Sequence, residues 1–480
     1  MKLRDAPALT FDDVLLVPRR SHIASRSGVN TSTRLTPGIT MKTPIVSANM
    51  DTVTEAEMAI AMARSGGIGI IHRFMTVERQ AAEVARVKRA ESFVVEHPAV
   101  IGPEATLHEA SQLLASLDVG GLVVVEAGKL AGMLTTRDLL FAPNPEAHVR
   151  EAMTPASRLV TAREGARLDD ARRLLHQHRL EKLPLVDEAG NLCGLITAQD
   201  IVKLEQHPDA TKDSKGRLRI GAAVGARPAD LERAAACLKA GADVLVVDIA
   251  HGHSDLAIEM IRALKREFPR IEVAGGNVAT AQGVRDLAQA GADAVKVGVG
   301  SGSICITRVV TGFGVPQLTA ISDCAEAAHS LGVPLIADGG IRSSGDIVKA
   351  LAAGASSVMV GSLLAGTDES PGASVVREGR RFKIVRGMAS LSANVDRREI
   401  EAGIEVDPAD WERVVPEGVE AVVPHRGRVA DILYQLVGGI RSGFSYAGVC
   451  GLEELWANAE FLRMTPAGMA ESKAHDVDRI

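Results

Sequence analysis

The stretch "PLIADGGIRSSGDIVKALAAGASSVMVGS" (334–362) decides the fold. A short apolar run closes on Asp-Gly-Gly. A serine-rich turn then opens an Ala/Leu-rich segment, and a second apolar run closes on Gly-Ser. This reads as strand, helix, strand, with a hydroxyl side chain placed to cap the helix. The same rhythm occurs upstream in "PIVSANM" (44–50), "GIGIIH" (67–72), "GAAVG" (221–225), "VLVVDIAH" (244–251), "IEVAGGNV" (271–278) and "AVKVGVG" (294–300). Helical patterns at 229–239 and 279–290 lie between them. Strands that alternate with helices run parallel, and eight of them predict an α/β fold, a closed (β/α)8 TIM barrel. An open doubly wound sheet is the alternative that the rhythm alone leaves standing.

The rhythm breaks after the second strand, where residues 93–205 contain a repeat. "TLHEASQLL" (106–114) matches "RLDDARRLL" (167–175), and "AGMLTTRDLL" (131–140) matches "CGLITAQDIV" (193–202). The expected domains are therefore 1–92 (first part of the barrel), 93–148 and 149–205 (the two repeats) and 206–480 (the rest of the barrel). Each repeat ends on an apolar strand, Thr-x-x-Asp and a helix. The pair resembles tandem CBS modules, which implies an adenine or guanine nucleotide partner, with Asp138 and Asp200 at ribose hydroxyls. Read as residues alone, both aspartates are helix caps. A second irregular region, about 388–426, is charged and glycine-punctuated, as a mobile flap over a barrel site would be.

Composition narrows the function classes. Aromatic residues are only 3% of the chain and the net charge is −6, so neither stacking on single-stranded nucleic acid nor a general attraction to anionic polymers or membranes is expected. Five cysteines (Cys193, Cys237, Cys305, Cys324, Cys450) form no metal-ligand spacing and no disulfide framework. The N-terminal segment lacks an apolar signal core, and no run reaches about 18 apolar residues. A cytoplasmic location is expected.

Barrel chemistry collects on the loops after the strands. Gly340 after the seventh strand, and Gly361 and Ser362 after the eighth, are candidates for a phosphate held by backbone N–H groups; their bland reading is a pair of tight turns. Asp338 beside them suits a ribose diol. Asp248, in "DIAHGHS" (248–254), suits a polar contact to a cofactor better than a metal site, because His251 and His253 supply too few ligands. In "GSGSICITR" (300–308), Cys305 sits among glycines and hydroxyls rather than in an apolar run like that of Cys237. It is the candidate nucleophile, with Thr307 as proton conduit.

These strings together, with "ALTFDDVLLVPRRS" (8–21), "SANMDTVTEAEMAIAMARSGGIGIIH" (47–72) and "GMASL" (387–391), resemble the IMP dehydrogenase/GMP reductase family over essentially the whole chain. The resemblance implies that Cys305 attacks C2 of a purine nucleotide, GMP or IMP. Ser303, Gly340, Gly361 and Ser362 would meet the phosphate, Asp338 the ribose, and Ser47, Met50, Gly387 and Met388 the ribose and base. Asp248 and Asn277 would face the nicotinamide cofactor. Backbone carbonyls of Gly300, Gly302 and Cys305 would hold potassium or another monovalent cation. A homotetramer or octamer is implied, with no nucleic acid or membrane partner. Thr307 and Glu417 match the proton relay of the reductase, which uses NADPH to convert GMP to IMP. They also occur in dehydrogenases, which convert IMP to XMP with NAD. Asn49 and the absence of an Arg-Tyr pair between Gly387 and Gly427, where Arg397-Arg398 stands instead, favour the reductase. The dehydrogenase is the alternative, and a nucleotide sensor without chemistry a more distant one.

Overall fold

The computed structural model describes residues 3–472 except 92, 118, 141–143 and 403–413. Two compact units emerge: residues 3–88, 209–211 and 218–472, and residues 89–208 with 212–217.

The first unit is built on eight parallel strands: β1 (Ile45–Ser47), β2 (Ile68–Ile71), β3 (Gly221–Val224), β4 (Val244–Asp248), β5 (Glu272–Val278), β6 (Ala294–Val297), β7 (Leu335–Asp338) and β8 (Ser357–Val360). They close in sequence order, β8 pairing with β1 and β2 with β3. Every residue of β1, β2, β3, β6 and β8 is buried. One side of each strand fills the barrel and the other meets helices, which is why the strands read as unbroken apolar runs. The open doubly wound sheet is excluded by this closure.

Helices α1 (Ala56–Arg64), α2 (Val77–Ala90), α3 (Asp230–Lys239), α4 (Asp255–Glu267), α5 (Ala281–Gln289), α6 (Gln317–Leu331), α7 (Ser344–Ala352) and α8 (Val429–Ala447) follow the strands in turn. In α4 the buried residues are Ala257, Met260, Ile261 and Leu264, spaced as one helical stripe against the barrel. The side chains of Ser254, Thr280 and Ser343 accept the backbone N–H groups of Ala257, Gly283 and Asp346 and so start α4, α5 and α7. The strands are shorter than the apolar runs that signal them. At β7, Gly339 and Gly340 adopt φ of +101° and +77°, which turns the chain out of the barrel after Asp338.

The flap region departs from the irregular segment that its composition predicts. Leu391–Ala402 is a helix with Ala393 and Val395 buried, and Glu420–Pro424 is a strand paired antiparallel with Arg380–Arg386. The charged run from Asp396 to Glu399 hides a helix whose buried apolar residues are few. Residues 403–413 of the expected flap lie outside the described residues.

The second unit repeats one pattern. Helices Leu107–Leu117 and Leu168–His178 pack on antiparallel pairs, Gly121–Glu126 with Lys129–Thr135 and Lys182–Val186 with Leu192–Thr197. Short helices Thr136–Leu140 and Ala198–Glu205 follow each pair. Asp138 accepts hydrogen bonds from the N–H and hydroxyl of Thr135, both at 2.7 Å, and Asp200 accepts from Thr197 Oγ1 at 2.6 Å. Both aspartates thus act as local caps. A cleft of about 1510 Å³ runs between the two repeats, lined by Thr136, Lys182, Thr197 and Asp200. Among the described residues of the chain, no helix is long and apolar enough to cross a membrane.

Candidate active site

A cavity of about 430 Å³ opens at the C-terminal ends of the barrel strands. It brings together Met50, Asp248, Asn277, Gly300, Gly302, Cys305, Thr307, Asp338, Gly387, Met388 and Glu417 from loops that lie far apart in the chain. Asn49 also lines it and is only 6% exposed.

The loop after β6 is shaped by close backbone approaches. A Cβ on Gly298 would fall 1.9 Å from the carbonyl oxygen of Asp338, so only glycine fits there. Ser301 Oγ donates to that same carbonyl at 3.2 Å, and Cys305 N–H donates to Gly302 O at 3.2 Å. Cys305 then bridges antiparallel to Gly418. Ile306 N–H donates to Glu417 O at 2.8 Å and Val419 N–H to Ile304 O at 3.0 Å. Gly387 and Ala389 continue the ladder, through Gly387 N–H to Val419 O and Glu417 N–H to Ala389 O. Here a Cβ on Gly387 would lie 3.1 Å from the Cα of Gly418.

This ladder aligns three side chains. The Cys305 thiol donates to Thr307 Oγ1 at 3.2 Å, and the Thr307 hydroxyl donates to Glu417 Oε2 at 2.8 Å. A proton on sulfur therefore has a continuous path to a carboxylate. The buried thiols differ: burial pushes Cys237 up to about 11 and Cys324 up to about 12, which keeps both protonated near neutral pH.

Lys296 of β6 also lines the cavity and is 3% exposed. Its Nζ donates to Asp338 Oδ2 at 2.7 Å, lies 3.4 Å from Asp248 Oδ1, and also donates to Asn277 Oδ1. Asn277 Nδ2 donates to Asp338 Oδ2 at 2.9 Å and to Gly298 O at 2.7 Å. Burial pulls the Lys296 ammonium down, but the two carboxylates outweigh it and its pKa stands above the ordinary lysine value. Lys296 is not among the residues that the sequence patterns single out. Its signal was a lone cation inside the apolar run "AVKVGVG". Arg73 and Phe74 after β2, and Asn394 and Arg397 of the flap helix, also line the cavity, while Arg398 is exposed.

Five expected residues do not line it. Ser47 is fully buried at the end of β1 and accepts from Thr54 Oγ1 at 2.8 Å, so its hydroxyl faces inward rather than toward a ligand in this cavity. Gly361 and Ser362 follow β8, and the Gly361 backbone passes close to Met50, whose Sδ would be 3.3 Å from a Cβ there. Gly340 packs on the buried ring of Phe11, and Ser303 is exposed. His253 is engaged by Asp286 on α5, Nε2 to Oδ2 at 2.8 Å. Among the described residues, no group of three or more His, Cys, Asp or Glu is arranged to hold a metal ion.

Residues 8–475 match the family described as "IMP dehydrogenase / GMP reductase domain". The chain belongs to the IMP dehydrogenase/GMP reductase family. It is 55% identical over 470 residues, 98% of each chain, to an inosine-5'-monophosphate dehydrogenase from Nitrosopumilus maritimus. It is 51% identical to a GMP reductase from Leishmania major, covering 98% of this chain and 97% of that one. Among solved structures it resembles a GMP reductase variant from Trypanosoma brucei in complex with guanosine 5'-monophosphate, with a TM-score of 0.86 and 46% identity over 98% of each chain. The chain is therefore an NAD(P)-dependent oxidoreductase of purine nucleotides. Overall identity does not separate the two activities, since relatives of both names stand at similar identity.

Proposed function

We propose that this enzyme is a GMP reductase: GMP, NADPH and two protons give IMP, NADP+ and ammonium. The observation that carries the reading is the unbroken chain from Cys305 through Thr307 to Glu417. Sulfur adds to C2 of the purine as its proton passes through Thr307 to Glu417. The C2–N bond then breaks, and the relay returns a proton to the departing amine, which is far too basic to leave as an anion. NADPH, when bound, supplies the hydride that C2 accepts as the carbon–sulfur bond breaks and the thiolate is released.

The remaining cavity chemistry suits these partners. Asp338 accepts the hydroxyls of the substrate ribose, and Met50, Gly387 and Met388 border the base. Ser303, Gly340, Gly361 and Ser362 take the phosphate on a neighbouring part of the same face, and Ser47, expected beside the ribose and base, instead supports the end of β1 through Thr54. Asp248 and Asn277, tied to Lys296, face the cofactor. The carbonyl oxygens of Gly300, Gly302 and Cys305 are uncharged hard donors on one short loop, a set that fits a monovalent cation better than a divalent one. The cleft of the second unit takes an adenine or guanine nucleotide, with Asp200 and Lys182 as polar contacts; Asp138, the other expected contact, does not line it. The assembly is a homotetramer or octamer, and the location cytoplasmic.

One observation favours a second reading, IMP dehydrogenase: Arg397 reaches the cavity wall, where Nη2 donates to Asn394 Oδ1 at 3.1 Å and, in that reading, the guanidinium activates water. Arg398, its neighbour, is exposed and supplies no tyrosine hydroxyl. The deciding assay compares GMP plus NADPH with IMP plus NAD and potassium. Turnover of the first pair at a rate at least tenfold above the second is expected. A covalent nucleotide adduct trapped from IMP and NAD in Arg397→Ala would overturn the reductase reading.

A further inference from the structure

Arg386 is the last residue of the strand that leads into Gly387 and Met388. Its guanidinium joins three segments. Nε donates to Asp51 Oδ2 at 2.7 Å, and Nη2 lies 2.5 Å from the same oxygen. Nη2 also lies 2.6 Å from Asp396 Oδ2, and Nη1 donates to Ser392 Oγ at 3.1 Å. The backbone N–H of Arg386 donates to Thr52 Oγ1 at 3.3 Å. Asp51 directly follows Asn49 and Met50 in the cavity wall. Ser392 and Asp396 sit on the flap helix Leu391–Ala402, which contributes Asn394 and Arg397 to the same wall.

The two carboxylates on this guanidinium differ in burial. The side chain of Asp51 is 7% exposed and that of Asp396 is 43% exposed, with Arg386 itself at 21%. A buried charge pair with two N–H donors on one oxygen is costly to break, because separation strands a charge away from water. An exposed pair breaks and re-forms at little cost. We propose that Arg386 is a positioning residue that sets the flap helix over the substrate, held permanently to the barrel through Asp51 and releasably through Asp396. Opening the Asp396 contact leaves the Ser392 hydroxyl as the remaining hold of Arg386 on the helix that carries Asn394 and Arg397, and so loosens that helix, while Gly387 and the Glu417 ladder stay in register with Cys305. The inference rests on the proposed reaction only where turnover is measured.

The test uses the full-length enzyme with GMP bound. Asp396→Asn removes the charge that strengthens the releasable contact and leaves the Asp51 pair intact. Amide exchange across Leu391–Ala402 is expected to speed up roughly three- to tenfold. The kcat for GMP reduction should fall by a similar factor, with GMP affinity and melting temperature unchanged. Asp396→Glu should restore both values. Arg386→Lys, which keeps the charge but loses the planar fork, should show the larger loss. Exchange at the wild-type rate in Asp396→Asn would overturn the proposal, as would losses that follow a drop in melting temperature. Exchange is read without turnover. Faster exchange in a protein that does not reduce GMP would retain this inference and reject the reductase reading.

Discussion

Thr307 holds no charge near neutral pH, so between a thiol and a carboxylate it can only hand a proton on. Thr307→Ala and Glu417→Gln should therefore each lower GMP reduction by about 10²–10⁴-fold, the usual cost of losing an acid–base group. The double variant should cost little more than either single one, because both remove the same path. Steady-state rates of the three proteins decide this, and multiplicative losses would mean two independent roles. Cys305→Ala should end turnover while GMP still binds. At pH 8 a thiol with a pKa of about 11, such as Cys237, is ionised only to about one part in a thousand. Cys305 should accordingly be alkylated far ahead of Cys237 and Cys324, and GMP should slow that labelling. Mass spectrometry of a timed iodoacetamide reaction reads both effects, and equal labelling of the three would remove the nucleophile.

At the scale of elements, the Cys305 loop, the strand end at Gly387 and the segment 417–419 form one ladder with no room for side chains at its centre. A Cβ on Gly418 would meet backbone atoms of Gly387 and Ser390 at 3.2 Å. Backbone cannot swing aside as a long side chain can, so Gly418→Ala must push the rungs apart. The expected result is a kcat at least tenfold lower with near-normal melting temperature, since the ladder lies on loops outside the barrel core. Wild-type kcat would show that the relay tolerates the displacement. This is also where the sequence was least informative. Strands such as "VLVVDIAH" declare themselves through β-branched runs, and Cys305 through its glycine and hydroxyl neighbours. The pairing of Cys305 with Gly418 leaves no such trace, because backbone hydrogen bonds between distant loops need no particular side chain. Lys296 was legible in principle: an ammonium inside an apolar strand demands buried counter-charges. Those counter-charges, Asp248 and Asp338, had already been singled out by their places at strand ends.

At the scale of the whole molecule, the chain interrupts its barrel between α2 and β3 and resumes it without losing a strand. All eight strands and the cavity residues belong to one unit, and the repeat with its own cleft belongs to the other. Each half of the repeat has its own apolar cluster, Leu107 to Val149 in the first and Phe93 to Ile201 in the second. The repeat was visible because its two copies share an apolar strand, Thr-x-x-Asp and a helix. Its ligand chemistry was less so, because Asp138 and Asp200 serve as helix caps, a role that Asp fills without any ligand. Removing residues 93–205 and joining the ends through a short glycine-serine linker should therefore leave a folded barrel. Its GMP reduction should stay within about threefold of the intact enzyme. Loop closure costs vary only slowly with linker length, so the junction should not decide the outcome. Any activation or inhibition of the intact enzyme by adenine or guanine nucleotides should disappear in the shortened chain. Two measurements check this: turnover with and without added nucleotide, and thermal melting of both proteins. A shortened chain that folds but has lost turnover would make the insert part of the catalytic machinery, and retained nucleotide effects would move the regulatory site to the barrel.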